Sequence, residues 1–281
     1  RMKAAGAIVI GKTNTPELGL GSNTFNAVYG STGNAWDPSR TSGGSSGGAA
    51  VALARRMLWV ADGSDFMGSL RNPAAWNHVF GLRPSQGRVP GWPKPDVWIS
   101  QLGTEGPMAR HVRDVARLLD VQAGFDPRVP LSLDSEPQSF VPSESTSVKG
   151  LRVGWLGDLQ GHLAMEDGIL SVCESALSKL QRAGAHVEPA SLGMDATVLW
   201  EAWLVWRQAL VASNINAILA QPGARELTKP EALWEVDRAQ TLKFETFMRA
   251  SATRSDYLQR LVKLFEQFDV LADRKSTRLN S

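Results

Sequence analysis

Two glycine–serine clusters divide the front of this chain and limit what it can fold into. The first reads Ser42-Gly43-Gly44-Ser45-Ser46-Gly47-Gly48, and the second reads Asp65-Phe66-Met67-Gly68-Ser69-Leu70-Arg71-Asn72-Pro73-Ala74. Both place hydroxyls and sterically open amides where the backbone must bend sharply. Ala49 to Met57 is rich in helix formers, so the first cluster is expected at a helix N-terminus. Leu58-Trp59-Val60-Ala61 reads as a strand, so the second cluster follows a strand end. Pro73 then suits the first turn of another helix. A nucleophilic oxygen, a proton relay and amides for a developing oxyanion are what acyl transfer requires, and these clusters supply all three types of group.

The remaining pattern is that of an α/β chain. Ala7-Ile8-Val9-Ile10 is a short apolar run that reads as a strand, and residues 19–48 form a long polar loop of the kind that usually carries function. Val112, Val115, Ala116 and Leu119 recur with helical spacing, and Gly124 closes that helix. Residues 125–149 read as an exposed connection. A β-α-β unit follows: a strand at Leu151 to Trp155, a helix whose face is Ile169, Val172, Cys173, Ala176, Leu177 and Leu180, and a strand opening at His186-Val187. Residues 196–220 and 232–267 read as helices, parted by Pro222-Gly223 and Pro230, and Phe268 to Ala272 reads as a buried strand. Strands alternating with helices predict a sheet flanked by helices.

Composition excludes several classes. A net charge of +2 with scattered basic residues argues against a nucleic-acid groove as the main function, with tRNA contact by a larger assembly left open. No apolar run has the length of a membrane span. The single cysteine, Cys173, forms no disulfide framework and favours a reducing, cytoplasmic setting. No Cys, His and carboxylate cluster has metal-ligand spacing, so neither metal nor organic cofactor is expected.

Ser69 follows a strand and is preceded by Gly68, which suits a nucleophile or, alternatively, a helix N-cap. None of His78, His111, His162 and His186 lies in a context tied to either cluster, although triads assemble across a fold. Ser45 and Ser46 offer a different route, a hydroxyl relay to a neutral lysine. The Gly43 to Gly48 loop could instead cradle a phosphate at a helix N-terminus, but the Lys-Ser/Thr of a Walker loop is missing after Gly48.

Taken together with Gly11-Lys12-Thr13-Asn14-Thr15-Pro16-Glu17, Gly33-Asn34-Ala35-Trp36-Asp37, Phe80-Gly81-Leu82-Arg83-Pro84-Ser85-Gln86-Gly87-Arg88-Val89 and Glu105-Gly106-Pro107-Met108-Ala109-Arg110, the two clusters resemble the amidase signature family of serine hydrolases. The resemblance runs from about residue 6 to residue 272. It implies an α/β fold with a mixed central sheet, helices on both faces, and truncation at both ends. It implies Ser69 as nucleophile, Ser45 as relay after a cis peptide, and Ser46 as a supporting hydroxyl. The amides of Phe66, Met67, Gly68 and Ser69 would form the oxyanion hole, and Asp65 and Arg71 a bracing charged pair. The activity implied is hydrolysis of a small-molecule amide through an acyl-serine. A homodimer is compatible with it, and a partner subunit is expected only if the chain is the glutaminase component of a tRNA-dependent amidotransferase. A non-catalytic phosphate- or nucleotide-binding module is the alternative from another class.

The sequence departs from the family pattern at three places. The family's lysine would lie upstream of Arg1, matched by neither Lys3 nor Lys12, so the chain alone is expected to be nearly inactive. Met67 stands where glycine is commoner, and Arg55-Arg56 and Trp59 stand where Gly and Pro are commoner. Asp273 to Ser281 matches the translation of a sequencing-library adapter, so residues 1–272 are read as one partial domain and 273–281 as a non-native tail.

Overall fold

The structure, a computed structural model, describes residues 1–94, 96–134, 139–143 and 146–273. The tail beyond Asp273 lies outside the described residues. The chain divides into two compact units, Arg1–Thr146 and a second beginning at Ser147, with the boundary inside the polar 125–149 stretch.

The first unit opens with irregular chain and a small hairpin, β1 (Phe25–Asn26) and β2 (Gly30–Ser31). Asn14 ties this hairpin down: its amide donates to the Gly30 carbonyl and to Thr32 Oγ1, and its oxygen accepts from Asn26 at 2.6 Å. Helix α1 (Gly47–Ala54) leads to strand β3 (Val60–Asp65), then α2 (Arg71–Trp76), β4 (Phe80–Gly81), β5 (Thr104–Ala109) and α3 (Val112–Gln122). The sheet order is β3-β5-β4, antiparallel throughout, with Val60 opposite Ala109 and Asp65 opposite Thr104. Ala49, Ala50 and Leu53 of α1 pack with Leu70, Ala74, Val79 and Met108 to make the core under the second cluster. Gly48 is needed for this packing, because a Cβ there would lie 2.6 Å from the backbone N and O of Asn14.

The second unit holds β6 (Arg152–Trp155), α4 (Ile169–Arg182), β7 (His186–Pro189), α5 (Ala196–Leu219), α6 (Ala224–Leu227), α7 (Pro230–Gln240), α8 (Phe244–Gln267) and β8 (Val270–Ala272). Its sheet, ordered β7-β6-β8, is parallel. The β-α-β unit thus forms as its periodicity predicts. Trp206 is buried and packs on Phe247 at a centroid distance of 4.5 Å, while Trp200 and Trp203 stack on each other at 4.4 Å.

The α/β class holds, with antiparallel and parallel sheets both present, but several local expectations need correction. Ile8 to Ile10 is not a strand: Ile8 is 87% exposed and no described strand offers it ladder bonds. Strand β3 starts at Val60 rather than Leu58 and runs on through Asp62-Gly63-Ser64, where cross-strand pairing with β5 overrides low intrinsic preference. The stretch 232–267 is mostly helical, as read, in two helices, since α7 ends at Gln240 and α8 begins at Phe244. The α4 face is only half-buried, with Val172 exposed, and α4 packs chiefly on β7. β8 lies at a sheet edge with Val270 exposed, and so is not a buried strand.

The turn after α1 shows what Arg55-Arg56 do in place of glycine. The Met57 amide donates to Ala52 O at 2.8 Å and the Arg56 amide to Leu53 O at 3.0 Å, the paired bonds of a Schellman cap. Arg56 occupies the left-handed position, φ 61°, where a Cβ is unfavourable. Arg56→Gly is therefore expected to raise the stability of this unit by about 1 kcal/mol, read as a higher urea midpoint at unchanged slope. A lower midpoint would contradict this account of the cap.

Candidate active site

The site grows from the end of β3. Asp65 is the last residue of that strand, residues 66–70 turn, and α2 begins at Arg71. The turn needs a residue of positive φ, and Gly68 supplies it at φ +117°, where an added Cβ would come within 2.8 Å of the Asn72 side chain. Asp65, fully buried, organises the turn. Its carboxylate accepts from the Gly68 amide at 2.6 Å and the Leu70 amide at 3.2 Å, and from Arg71 Nε and Nη2 at 2.9 Å each. Arg83 adds a second cation 3.5 Å away and donates through Nε to the Asp65 carbonyl and through Nη2 to the Leu102 carbonyl. Burial alone would raise the Asp65 pKa. The bidentate Arg71, its charge and the two amides outweigh burial and hold the carboxyl below the usual range.

The first cluster closes over this turn from the other side. Ser42 to Gly47 are buried, and the Gly44–Ser45 peptide is cis. The Ser46 amide donates to the Ser69 carbonyl at 3.2 Å, which ties the two clusters together directly. The Ser46 side chain lies over Gly63, where a Cβ would come within 2.6 Å of its Oγ. Thr24, buried, donates through Oγ1 to the Gly43 carbonyl at 2.8 Å and accepts from the Gly47 amide at 3.2 Å. Asn77, also buried, donates to the Ser42 carbonyl and the Pro73 carbonyl, each at 2.8 Å, and accepts from the Ala35 amide. Gly33 to Asp37 is thereby pinned to the end of α2, and Trp36 lies edge-on to His78 at 6.0 Å.

Every residue expected in the site therefore lies in one neighbourhood, but two details differ from the simplest expectation. The Gly68 amide is turned inward to Asp65, because the buried carboxylate needs donors more than the surface does. Gly68 thus shapes the turn, and among the described residues no chain group accepts from the amides of Phe66 or Ser69. The hydroxyls of Ser45 and Ser69 share no direct hydrogen bond, nor does any lysine donate to them, among the described residues. Thr24, Asn77 and Arg83 were not assigned a role from sequence. Arg83 could have been suspected from its place in the Phe80-Gly81-Leu82-Arg83-Pro84 motif; Thr24 and Asn77 carry no local signal. The Gly43 to Gly48 loop is no open phosphate cradle, since the Ser46 and Gly47 amides are satisfied within the chain and the loop is largely buried.

An α/β unit with a serine-bearing strand–turn–helix, braced by a buried ion pair and backed by a glycine–serine loop, is the class defined here. The chain belongs to the Amidase family, whose sequence model matches residues 1–273. It is 40% identical over 295 residues to a glutamyl-tRNA(Gln) amidotransferase subunit from Thermosynechococcus vestitus, covering 96% of this chain and 60% of that protein. It is 31% identical over 279 residues to indoleacetamide hydrolase of Bradyrhizobium japonicum, covering 96% and 57%. Among solved structures it resembles a bacterial aryl acylamidase of the amidase signature enzymes, with TM-score 0.91, 27% identity and coverage of 100% and 60%. The chain thus spans 60% or less of the length of each of these relatives. Among the described residues no helix is long and apolar enough to cross a membrane.

Proposed function

We propose that the protein carrying this chain hydrolyses a small-molecule carboxylic amide through an acyl-enzyme on Ser69. The observation that carries this reading is the Asp65-centred turn. A fully buried carboxylate, two amides and two arginines spend their bonding capacity holding Ser69 at a half-exposed bend directly under the Ser45–Ser46 loop. A helix N-cap serine would need none of that apparatus. Asp195, for example, caps α5 with a single bond to the Thr197 amide.

In the mechanism, Ser69 Oγ attacks the amide carbon while Ser45 takes its proton and passes it to a lysine base. The amides of Phe66 and Ser69, with Met67 beside them, receive the developing oxyanion. The same relay returns the proton to the leaving nitrogen, and water then releases the acid by the reverse route. The bond between the Ser45 and Ser69 hydroxyls forms with substrate in place, as catalytic contacts commonly tighten on binding. The setting proposed is cytoplasmic, in keeping with the lone Cys173.

Release of ammonia or amine by the full-length protein carrying this chain, from a panel of primary and aryl amides with glutamine included, tests the proposal. Turnover that disappears in Ser69→Ala while the variant melts normally is the expected result. Turnover unaffected by that change would refute it, and glutamine hydrolysis alone would mark the glutaminase role.

A further inference from the structure

Trp206 and Arg254 bring together two hydrogen-bond donors for which the described residues supply no acceptor. Trp206, on α5, is buried, and its indole N–H meets no partner among the described residues. Buried polar groups are nearly always bonded, so an orphan of this kind calls for a specific explanation. The Phe247 ring packs on Trp206 at a centroid distance of 4.5 Å, and the Arg254 guanidinium lies over the same indole at 4.8 Å. Both come from α8, and neither side chain can accept a hydrogen bond.

Arg254 has a deficit of its own. It is part-buried, and desolvation holds its guanidinium below the usual pKa with no carboxylate acting against that. Among the described residues it makes no ion pair. The neighbouring positions on its helix face, Ala250, Ser251, Tyr257 and Leu258, hold no acid, and Asp256 is taken by Arg260 at 3.0 Å. Arg207 shows the contrast. It lies over Trp203 at 5.5 Å and donates through Nε to Glu235 Oε1. The unpaired Glu235 Oε2 brings spare acceptor capacity to that cluster, where the Trp203 indole N–H is also unbonded. A partly desolvated cation without a counter-charge costs free energy. Stacking on an indole face leaves the edge N–H groups of a guanidinium open to bond.

We infer that Arg254 and the Trp206 indole N–H form a carboxylate-binding site on the second unit, one oxygen accepting from the guanidinium and the other from the indole. The indole nitrogen belongs to the ring that Arg254 covers, so both donors fall within reach of one two-oxygen group. A carboxylate fits because it carries the opposite charge and a planar pair of acceptors that matches a guanidinium edge. It enters on the side of Arg254, the part-exposed member of the pair. The carboxylate belongs either to a small molecule or to an aspartate or glutamate side chain outside the described residues, and the experiment separates the two. The inference does not depend on the amidase reading.

The test is nuclear magnetic resonance on the full-length protein carrying this chain, isotope-labelled at the tryptophan indole nitrogens. The Trp206 signal is assigned by its loss in Trp206→Phe. Sodium acetate and sodium phenylacetate are titrated at constant ionic strength against sodium chloride. For a small-molecule carboxylate, the Trp206 indole proton should move downfield to saturation. Affinity should then fall at least about 10-fold in Arg254→Gln, as loss of a charge-assisted hydrogen bond implies. For a side-chain carboxylate, the signal should lie downfield before any addition and return upfield in Arg254→Gln. Arg254→Lys keeps the cation and should retain part of either effect, which separates loss of charge from loss of fold. An upfield signal that neither carboxylate moves, or a downfield position or shift that Arg254→Gln leaves unchanged, would overturn the inference.

Discussion

Replacing Ser69 by alanine should lower kcat for amide hydrolysis by about 10⁶-fold, and adding Ser45→Ala to that variant should cost little more. The first loss removes the atom that bonds to the substrate carbon. The relay then has no proton to carry, so the two changes act on one step and cannot add. Ser45→Ala alone should lose about 10²–10⁴-fold, the usual range for a group that only transfers a proton. KM should move little, because Ser45 is buried behind the turn and is not placed to bind the body of a substrate. Independent, additive losses at the two positions would mean that the serines do not share a step.

Arg71→Ala should cost about 3 kcal/mol of stability, because it leaves Asp65 buried with its principal counter-charge gone. The pH dependence gives a sharper reading. With Arg71 present, the Asp65 carboxyl titrates below its unfolded value of about 3.9. Its contribution is therefore fully present above that pH and is lost as the pH falls through the lower, folded value. Without Arg71, burial dominates and pushes the carboxyl up, so protonation relieves the fold. The deficit of Arg71→Ala should accordingly shrink between pH 7 and pH 4, measured by urea denaturation at each pH. A constant deficit would mean that Arg71 acts through packing and not through the charge of Asp65. Because this pair holds the Ser69 bend, activity should fall with it, even where the variant remains folded.

Much of the site is legible in the sequence because its parts are local. Asp65, Gly68, Ser69 and Arg71 fall within seven residues, and a turn that tight lets residue type report geometry. The helix after it follows from ordinary propensity and from Pro73, whereas only the Val60-Ala61 start of the strand before it does. What local pattern does not carry is long-range bonding. Asn77 fixes the first cluster through Ser42, and Thr24 fixes it through Gly43 and Gly47, each across a loop whose path no periodicity encodes. The inward commitment of the Gly68 amide likewise depends on Asp65 being fully buried, a consequence of packing. The same limit explains Ile8 to Ile10, an apolar run that becomes a strand only where a neighbour takes its hydrogen bonds, and β3, where pairing with β5 carries Asp62-Gly63-Ser64 into the sheet.

The most direct measurement is peptide mapping by mass spectrometry after brief exposure of the full-length protein carrying this chain to an alkyl fluorophosphonate, with Ser69→Ala, Ser45→Ala and a denatured sample in parallel. A single adduct on Ser69, much slower in Ser45→Ala and lost in Ser69→Ala and on denaturation, is the result expected of a nucleophile activated by its fold. An adduct on another residue, or Ser69 labelling no faster than in the denatured chain, would contradict it.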